Sequence, residues 1–181
     1  AIIVNDLKKD FNTGSSDGFR VVLDTFKDGR NGYQFAVNPA GAKWDAQMTN
    51  EGREVNANWD GIWDARARID ELGWHAEIRI PFRTLKFDDS DPQAWGMNFE
   101  RKLRRLNEDS YWSPLPRIYS LERVSLAGSV DGMRGVRPGK NLRVKPYALG
   151  SSNAVTGAGT SGDFNAGFDV KYGVTSGLTW D

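Results

Sequence analysis

The 181-residue chain carries 24 lysines and arginines against 24 aspartates and glutamates, so its formal net charge at neutral pH is zero. This balance argues against a nucleic-acid partner, which needs a clustered excess of basic side chains. The absence of cysteine excludes disulfides and thiolate zinc sites. No apolar run approaches the ~20 residues of a membrane-spanning helix.

The first predicted element is a hairpin. Residues 19–26 and 33–39 both alternate between apolar and polar side chains, which is the period of a half-buried strand. The segment 27–32 between them contains Asp-Gly and Asn-Gly, which are strong turn dipeptides. The pattern therefore predicts two antiparallel strands joined by a loop.

A second hairpin is predicted where residues 59–70 and 73–82 alternate on either side of a Glu-Leu-Gly turn. Trp63, Trp74 and Ile78 fall on the apolar phase of this hairpin. We expect these three side chains to share one buried face of a sheet.

Further along, residues 94–103 alternate again, and residues 110–114 are expected to pair with them. One short helical turn is expected at 82–87, just after Pro81. Short strands with little helical periodicity predict an all-β fold, an antiparallel β-sandwich of jelly-roll type.

The composition changes after about Pro116. Residues 1–116 are predicted to form the sandwich, 117–141 a linker with some structure of its own, and 142–181 strands of another kind. Residues 164–174 place apolar side chains on every second position, with Asn, Gly, Asp and Lys between them. This pattern occurs in outer-membrane barrel strands of ~10 residues and also in half-buried strands of soluble sheets, and the period alone leaves both open.

The middle of the chain resembles the family-nine carbohydrate-binding-module-like domains at the N-terminus of a family of bacterial outer-membrane proteins. The resemblance covers most of residues 19–150, and is carried by the stretches LDTFKDGRNGYQFAVNPAGAKWDA, WDGIWDARARIDELGWHAEIRIPFRTLKF, WGMNFERKLRRLNEDSYWSPLPR and LRVKPYALG. It implies a periplasmic β-sandwich, incomplete here because further N-terminal strands are expected upstream. It also implies that residues 142–181 are the first strands of an outer-membrane β-barrel.

The resemblance implies that the sandwich engages an oligo- or polysaccharide in carbohydrate catabolism at the bacterial outer membrane. Two alternatives from other classes stay open. One is a structural plug or docking domain of the barrel that binds no sugar. The other is an accessory part of a glycoside hydrolase, since family-nine modules are often joined to xylan-degrading enzymes. That link is by association only, because the sequence marks no pair of carboxylates as catalytic.

A sugar-binding site needs an accessible aromatic ring, because the C–H face of a pyranose is apolar and its rim forms hydrogen bonds. Trp63, Trp74 and Trp95 lie mid-strand on apolar positions and are expected in the core. Turns and strand ends carry binding groups more often. The expected ligand-binding rings are therefore Trp44, Trp59, Trp112 and Tyr33, with polar partners from Asp60, Asn58 and Arg30.

No cofactor and no metal ligands are predicted, because His75 is the single histidine. A structural calcium ion at turn aspartates is the one alternative, and its candidate ligands are Asp24, Asp28, Asp88, Asp89 and Asp91. A last feature is the basic cluster Arg-Lys-Leu-Arg-Arg at 101–105, which is predicted to be a salt-bridged strand end.

Overall fold

The computed structural model describes residues 1–138, 142–155, 159–173 and 179–180. The chain divides into two compact units, Ala1–Pro138 and Gly139–Asp181. In the described residues every strand pairing is antiparallel and none of the sheets is closed. The prediction of an all-β, antiparallel fold is confirmed. Among these residues, no helix has the length and apolarity needed to cross a bilayer.

The first unit contains a large sheet and a small one. Its strands are β1 Gly18–Asp24, β2 Gly32–Val37, β3 Lys43–Thr49, β4 Glu54–Asn56, β5 Asp64–Asp70, β6 Gly73–Arg79, β7 Gln93–Leu103, β8 Glu108–Tyr111 and β9 Gly128–Met133. The large sheet has the order β4-β3-β2-β1-β7-β8, with β9 also paired to β7, and the small sheet is the β5–β6 pair. Short 3-10 turns occur at Asn50–Gly52, Phe82–Thr84, Arg104–Leu106 and Val124–Leu126.

Four local predictions are confirmed, three by the strand pairing and one by a 3-10 turn. The β1–β2 and β5–β6 hairpins form as the alternation and the turn dipeptides indicate. β8 pairs with β7 across the Arg104–Leu106 turn. The helical turn after Pro81 is the 3-10 turn Phe82–Thr84, whose Leu85 N–H donates to the Phe82 carbonyl.

One face of the large sheet, here called the front face, is apolar and is covered by the small sheet. Trp63 of the small-sheet layer packs edge-on against Phe35 of β2, with ring centroids 5.1 Å apart. The buried side chains of this core come from both layers: Val21, Leu23, Tyr33, Phe35, Trp63, Leu85, Phe87 and Trp95. The expected core positions of Trp63 and Trp95 are confirmed, and the two packed layers fit a β-sandwich.

Trp74 corrects one prediction about the small sheet. Its side chain is only partly buried, whereas Trp63 is 3% exposed. On the same part of the hairpin, Ala76 is exposed and Ile69 is 55% exposed. The prediction that Trp74 shares a buried face with Trp63 along the whole hairpin is therefore wrong, because the small sheet is covered only at its base.

The opposite face of the large sheet, the back face, buries an ion pair. Arg20 of β1 lies directly opposite Glu100 of β7, which is fully buried. The Arg20 Nε donates to a Glu100 carboxylate oxygen at 2.9 Å, and Nη1 donates to Glu122 at 3.0 Å. Burial alone would lower the pKa of Arg20, but the carboxylates of Glu100 and Glu122 outweigh it and raise that pKa. A buried charge is tolerated only when its partners are present, so each member of this ion pair depends on the other.

Residues 117–138 contribute to the first unit. Leu121 and Val124 are buried against Val22 and Met48 on the back face. β9 adds a further strand next to β7. The segment predicted as a linker thus provides part of the core and part of the large sheet up to Pro138, because its apolar side chains cover the back face.

The second unit is a long hairpin with a short third strand. Its strands are β10 Leu142–Val155, β11 Gly159–Gly173 and β12 Thr179–Trp180, in the order β10-β11-β12. The alternating stretch 164–173 lies in β11, and Val174 lies outside the described residues.

The register places apolar residues together on one face of the β10–β11 hairpin, because directly opposed residues of an antiparallel pair point to the same side. Four alternate pairs on that face are Val144–Val170, Pro146–Phe168, Ala148–Ala166 and Gly150–Phe164. The other face carries Lys145–Asp169, Tyr147–Gly167, Leu149–Asn165 and Ser151–Asp163. Of the large apolar side chains, Phe164 is 78% exposed and Phe168 is 71% exposed.

Candidate functional site

A cleft of about 620 Å³ lies at one end of the first unit, between the turn of the β5–β6 hairpin and the front face of the large sheet. We call it the hairpin cleft. The hairpin side contributes Asp70, Glu71, Leu72, Gly73, Trp74 and Ala76, and the large-sheet side contributes Phe19, Arg101, Leu103 and Arg105. Asp17 and the N-terminal residues Ala1 and Ile2 complete its lining.

The cleft lies where a pair of small side chains interrupts the larger pairs on the inner face of the β5–β6 hairpin. Near the base, Ile78 lies opposite Ala65, and both pack on the core. Closer to the turn, Ala76 lies opposite Ala67. Packed sheets are ~10 Å apart and need large interdigitating side chains to fill that space. Two facing alanines cannot do so, and the layers leave an opening.

Trp74 is the next side chain beyond Ala76 on this face, because alternate residues of a strand point to the same side. Its indole lines the opening and is only partly buried. Phe19 lines the cleft from the large sheet and is itself held by a stacked contact with Phe99, with ring centroids 5.6 Å apart. The cleft therefore offers apolar ring surface from both of its walls.

The hairpin turn that bounds the cleft is fixed by Asp70. Its carboxylate accepts the Leu72 N–H at 3.0 Å and lies 3.0 Å from His75 Nε2. The hydrogen bond with His75 is the main reason why the pKa of Asp70 lies below its usual value. Gly73 has a φ of 138°, which favours glycine, and nothing lies near the position of a Cβ there. Asp70 thus shapes the turn, and the turn holds Trp74 at the cleft.

Asp17 fixes the other side of the cleft. Its side chain is buried, and its two oxygens accept the backbone N–H groups of Arg104 at 2.7 Å and Ile3 at 3.2 Å. The Asp17 N–H in turn donates to the Ile3 carbonyl at 2.8 Å. This carboxylate joins the start of β1 to the end of β7, and so positions the adjoining Arg105.

The basic cluster at 101–105 is only partly salt-bridged. Lys102 pairs with Asp109 of β8, and Arg104 donates to Asn107. Within the part of the chain that the structure describes, Arg101 and Arg105 have no hydrogen-bonded or ionic partner. Both of these free arginines line the hairpin cleft.

Two of the aromatic residues expected at a site belong to the core. Tyr33 is 5% exposed, and its hydroxyl accepts the Lys86 N–H at 3.2 Å. Burial raises the pKa of this hydroxyl. Trp59 is partly buried over Tyr33, with ring centroids 5.0 Å apart, and also contacts Phe35. Both rings point toward the front face. Their positions near strand ends in the sequence did not indicate this orientation.

The other two expected rings lie outside the cleft. Trp44 is partly buried and packs on the cluster of Phe11, Ala36 and Ala42. Trp112 is 55% exposed, and its ring lies 5.8 Å from that of Phe99. Trp112 remains an accessible aromatic surface, but it does not line the cleft.

The expected polar partners are also dispersed. Asp60 is exposed and forms an ion pair with Lys9. Arg30 and Asn58 are exposed in two separate loops, and neither lines the hairpin cleft. The structure therefore does not bring the predicted residues together into one site. Sequence reasoning missed Trp74 as a site residue. The two small residues Ala67 and Ala76 next to a turn were the signal that could have indicated an opening beside it.

The carboxylates of turn aspartates accept hydrogen bonds from backbone N–H groups. Asp24 accepts the Gly29 N–H at 2.8 Å, and Asp28 accepts the N–H of Arg30 at 2.8 Å. Burial raises the pKa of Asp24 despite these hydrogen bonds. Asp88 likewise accepts the Ser90 N–H at 3.0 Å. No group of three or more His, Cys, Asp or Glu side chains is placed to hold a metal ion within the described ranges.

Comparisons with family models, with curated proteins and with solved structures gave no match to this chain.

Proposed function

We propose that the first unit is a carbohydrate-binding-like module that engages an oligo- or polysaccharide in the hairpin cleft, with Trp74 as the stacking ring. The observation that supports this most is a partly exposed tryptophan inside a cleft of about 620 Å³. Ligand sites are commonly 300–1,000 Å³ in volume and combine apolar surface with a few polar groups.

The chemistry of the lining suits a sugar. The C–H face of a pyranose packs on an aromatic ring, while its hydroxyls need donors and acceptors at the edge of that ring. Arg101, Arg105 and Glu71 line the same cleft and can supply these hydrogen bonds. Asp17 and Asp70 already accept hydrogen bonds that hold the fold, so a binding role fits the cleft better than hydrolysis by a pair of carboxylates.

The second unit supports a proposal about location. We assign β10 and β11 to the start of an outer-membrane β-barrel, with the first unit on the periplasmic side. The four apolar pairs from Val144–Val170 to Gly150–Phe164 extend about 20 Å along the strands at ~3.3 Å per residue. Barrel strands present an apolar band of ~25 Å to lipid, which is close to this length.

A structural docking domain without a sugar ligand is the second candidate. The exposed apolar face of the β10–β11 hairpin favours a membrane role whether or not the first unit binds sugar. The two candidates differ in what the hairpin cleft does, and a ligand titration separates them.

The test is calorimetric titration of the whole chain with xylan, cellulose, chitin and pectin oligosaccharides. Binding of at least one of them is expected, and Trp74→Ala should weaken it about tenfold, since an aromatic contact contributes ~0.5–1.5 kcal/mol beyond its buried area. Trp112→Ala is the matched control, because Trp112 is exposed outside the cleft. Absence of binding to all of them would favour the docking domain, and equal losses in both variants would exclude the cleft as the site.

A further inference from the structure

We propose that the hairpin cleft selects an acidic sugar, with the carboxylate of a uronate residue bound by Arg101 and Arg105. This inference rests on the proposed function and names the class of its ligand.

The two arginines are placed by the large sheet. Arg101 of β7 lies directly opposite Phe19 of β1, so both point to the front face. Arg105 follows in the 3-10 turn Arg104–Leu106, whose start is held by the bond from the Arg104 N–H to Asp17. Each side chain is exposed, and each lines the cleft.

The hydrogen-bonding capacity of these arginines is unused. Two other basic side chains of the same sheet have carboxylate partners, Arg20 with Glu100 and Lys102 with Asp109. By contrast, neither Arg101 nor Arg105 has such a partner among the residues described. Each guanidinium has five N–H donors in a planar fork that matches a carboxylate with two parallel hydrogen bonds.

The carboxylates that line the cleft do not pair with Arg101 or Arg105. Asp17 uses both oxygens on backbone N–H groups, and Asp70 is engaged by His75, by the Leu72 N–H and by Arg68 at 3.5 Å. Glu71 is exposed at the hairpin turn, which is the wall opposite the arginines. The large-sheet wall is therefore rich in donors, and a ligand rich in acceptors complements it.

Trp74 indicates which kind of molecule carries the carboxylate that the arginines bind. The indole lies on the hairpin wall and the arginines on the sheet wall of the same cleft. A uronate offers both complementary features in one ring, an apolar C–H face for the indole and a carboxylate on C5 for the guanidinium groups. A small free anion would satisfy the arginines and leave the indole unused, so the two sources of a carboxylate can be separated.

The experiment is calorimetric titration of the whole chain with oligogalacturonate and with a neutral galactose oligomer of equal length, alongside sodium acetate and sodium sulfate as small anions. The acidic oligomer should bind at least tenfold more tightly than the neutral one, and its affinity should fall with added salt. Arg101→Gln and Arg105→Gln should each reduce this preference at least fivefold, because glutamine keeps hydrogen-bond donors for hydroxyls and loses the charge that pairs with a carboxylate. Arg66→Gln is the matched control, since Arg66 is exposed on β5 outside the cleft.

The outcomes distinguish this inference from the proposed function. Equal affinity for both oligomers, lost in Trp74→Ala, would overturn the acidic preference and keep sugar binding. Binding of acetate or sulfate as tight as that of the acidic oligomer would overturn the uronate assignment. No binding of either oligomer would overturn the uronate assignment, while the titrations with xylan, cellulose and chitin oligosaccharides decide whether the cleft binds another sugar. Thermal unfolding of each variant identifies any loss that comes from misfolding.

Discussion

The β5–β6 and β10–β11 hairpins share one sequence pattern and differ in what covers their apolar face. Both alternate apolar and polar residues with a period of two. At the base of β5–β6, Trp63 and Ile78 pack on the front face of the large sheet. On β10–β11, Phe164 and Phe168 are mostly exposed.

The difference shows that alternation tells which residues share a face but says nothing about the partner of that face. Within β5–β6 itself both outcomes occur, because the base is covered and the turn is not. The covered part stabilises the fold, and the uncovered parts are accessible to a ligand or to lipid. Four changes test this division, from the largest expected effect to the smallest.

The base of the β5–β6 hairpin should be the most sensitive part. Trp63→Ala removes a ring that is 3% exposed and packed on Phe35, so the free energy of unfolding should fall by about 3–5 kcal/mol. Trp74→Ala is the matched variant on the same hairpin, and it should cost less than about 1.5 kcal/mol because its ring is only partly buried. Denaturant unfolding followed by circular dichroism measures both. Equal costs would mean that the whole hairpin is covered.

The uncovered β10–β11 hairpin should respond to lipid. Under the proposed barrel assignment, Phe168→Arg should lower the free energy of unfolding in a bilayer by about 2–4 kcal/mol, because this side chain would face lipid near the bilayer midplane. Asp169→Arg is the matched control, since Asp169 lies on the opposite face beside Lys145. Unfolding in phospholipid vesicles measures the difference, and equal sensitivity at both positions would contradict a lipid-facing role.

Acid should weaken the first unit through the back face. Burial would raise the pKa of Glu122, but Arg20 and hydrogen bonds with Ser120 and Gln34 hold it below the usual 4.5. A carboxylate with a lowered pKa stabilises the fold above its unfolded value, and that contribution is lost as the pH falls through the folded pKa. The free energy of unfolding should therefore decrease as the pH falls below 4.5, which is the ordinary pKa of a glutamate side chain. Glu122→Gln should cost about 1 kcal/mol at neutral pH and make this decline shallower; an unchanged acid profile would exclude Glu122 as its source.

The turn of the β5–β6 hairpin should tolerate substitution best. Leu72 is 92% exposed, so Leu72→Ala should change the unfolding free energy by less than about 0.5 kcal/mol. Thermal unfolding checks this, and a loss above about 1 kcal/mol would mean that another element covers the turn.

Much of the strand pairing could be predicted because its determinants are local. The Asp-Gly and Asn-Gly dipeptides at 27–32 and the alternation on both sides of Gly73 were enough to predict two hairpins and their apolar faces. Trp63 could be placed in the core for the same reason.

The site could not be predicted because it depends on how the two layers are spaced. Tyr33 and Trp59 lie near strand ends, yet they point to the covered part of the front face. Trp74 lies on the same apolar phase as Ile78, but the facing pair Ala67 and Ala76 leaves its surroundings open. Contacts between distant segments decide both cases, and alternation within one strand contains no information about them.

In the proposed site, Trp74 and not another indole of the first unit contacts the ligand. Resolving the indole N–H signals of the chain by NMR during titration with oligogalacturonate tests it directly, with assignment by single tryptophan-to-phenylalanine variants. We expect a saturable shift of the Trp74 signal, while the buried Trp63 and Trp95 signals stay in place. A saturable shift of the Trp112 or Trp44 signal with an unchanged Trp74 signal would contradict it.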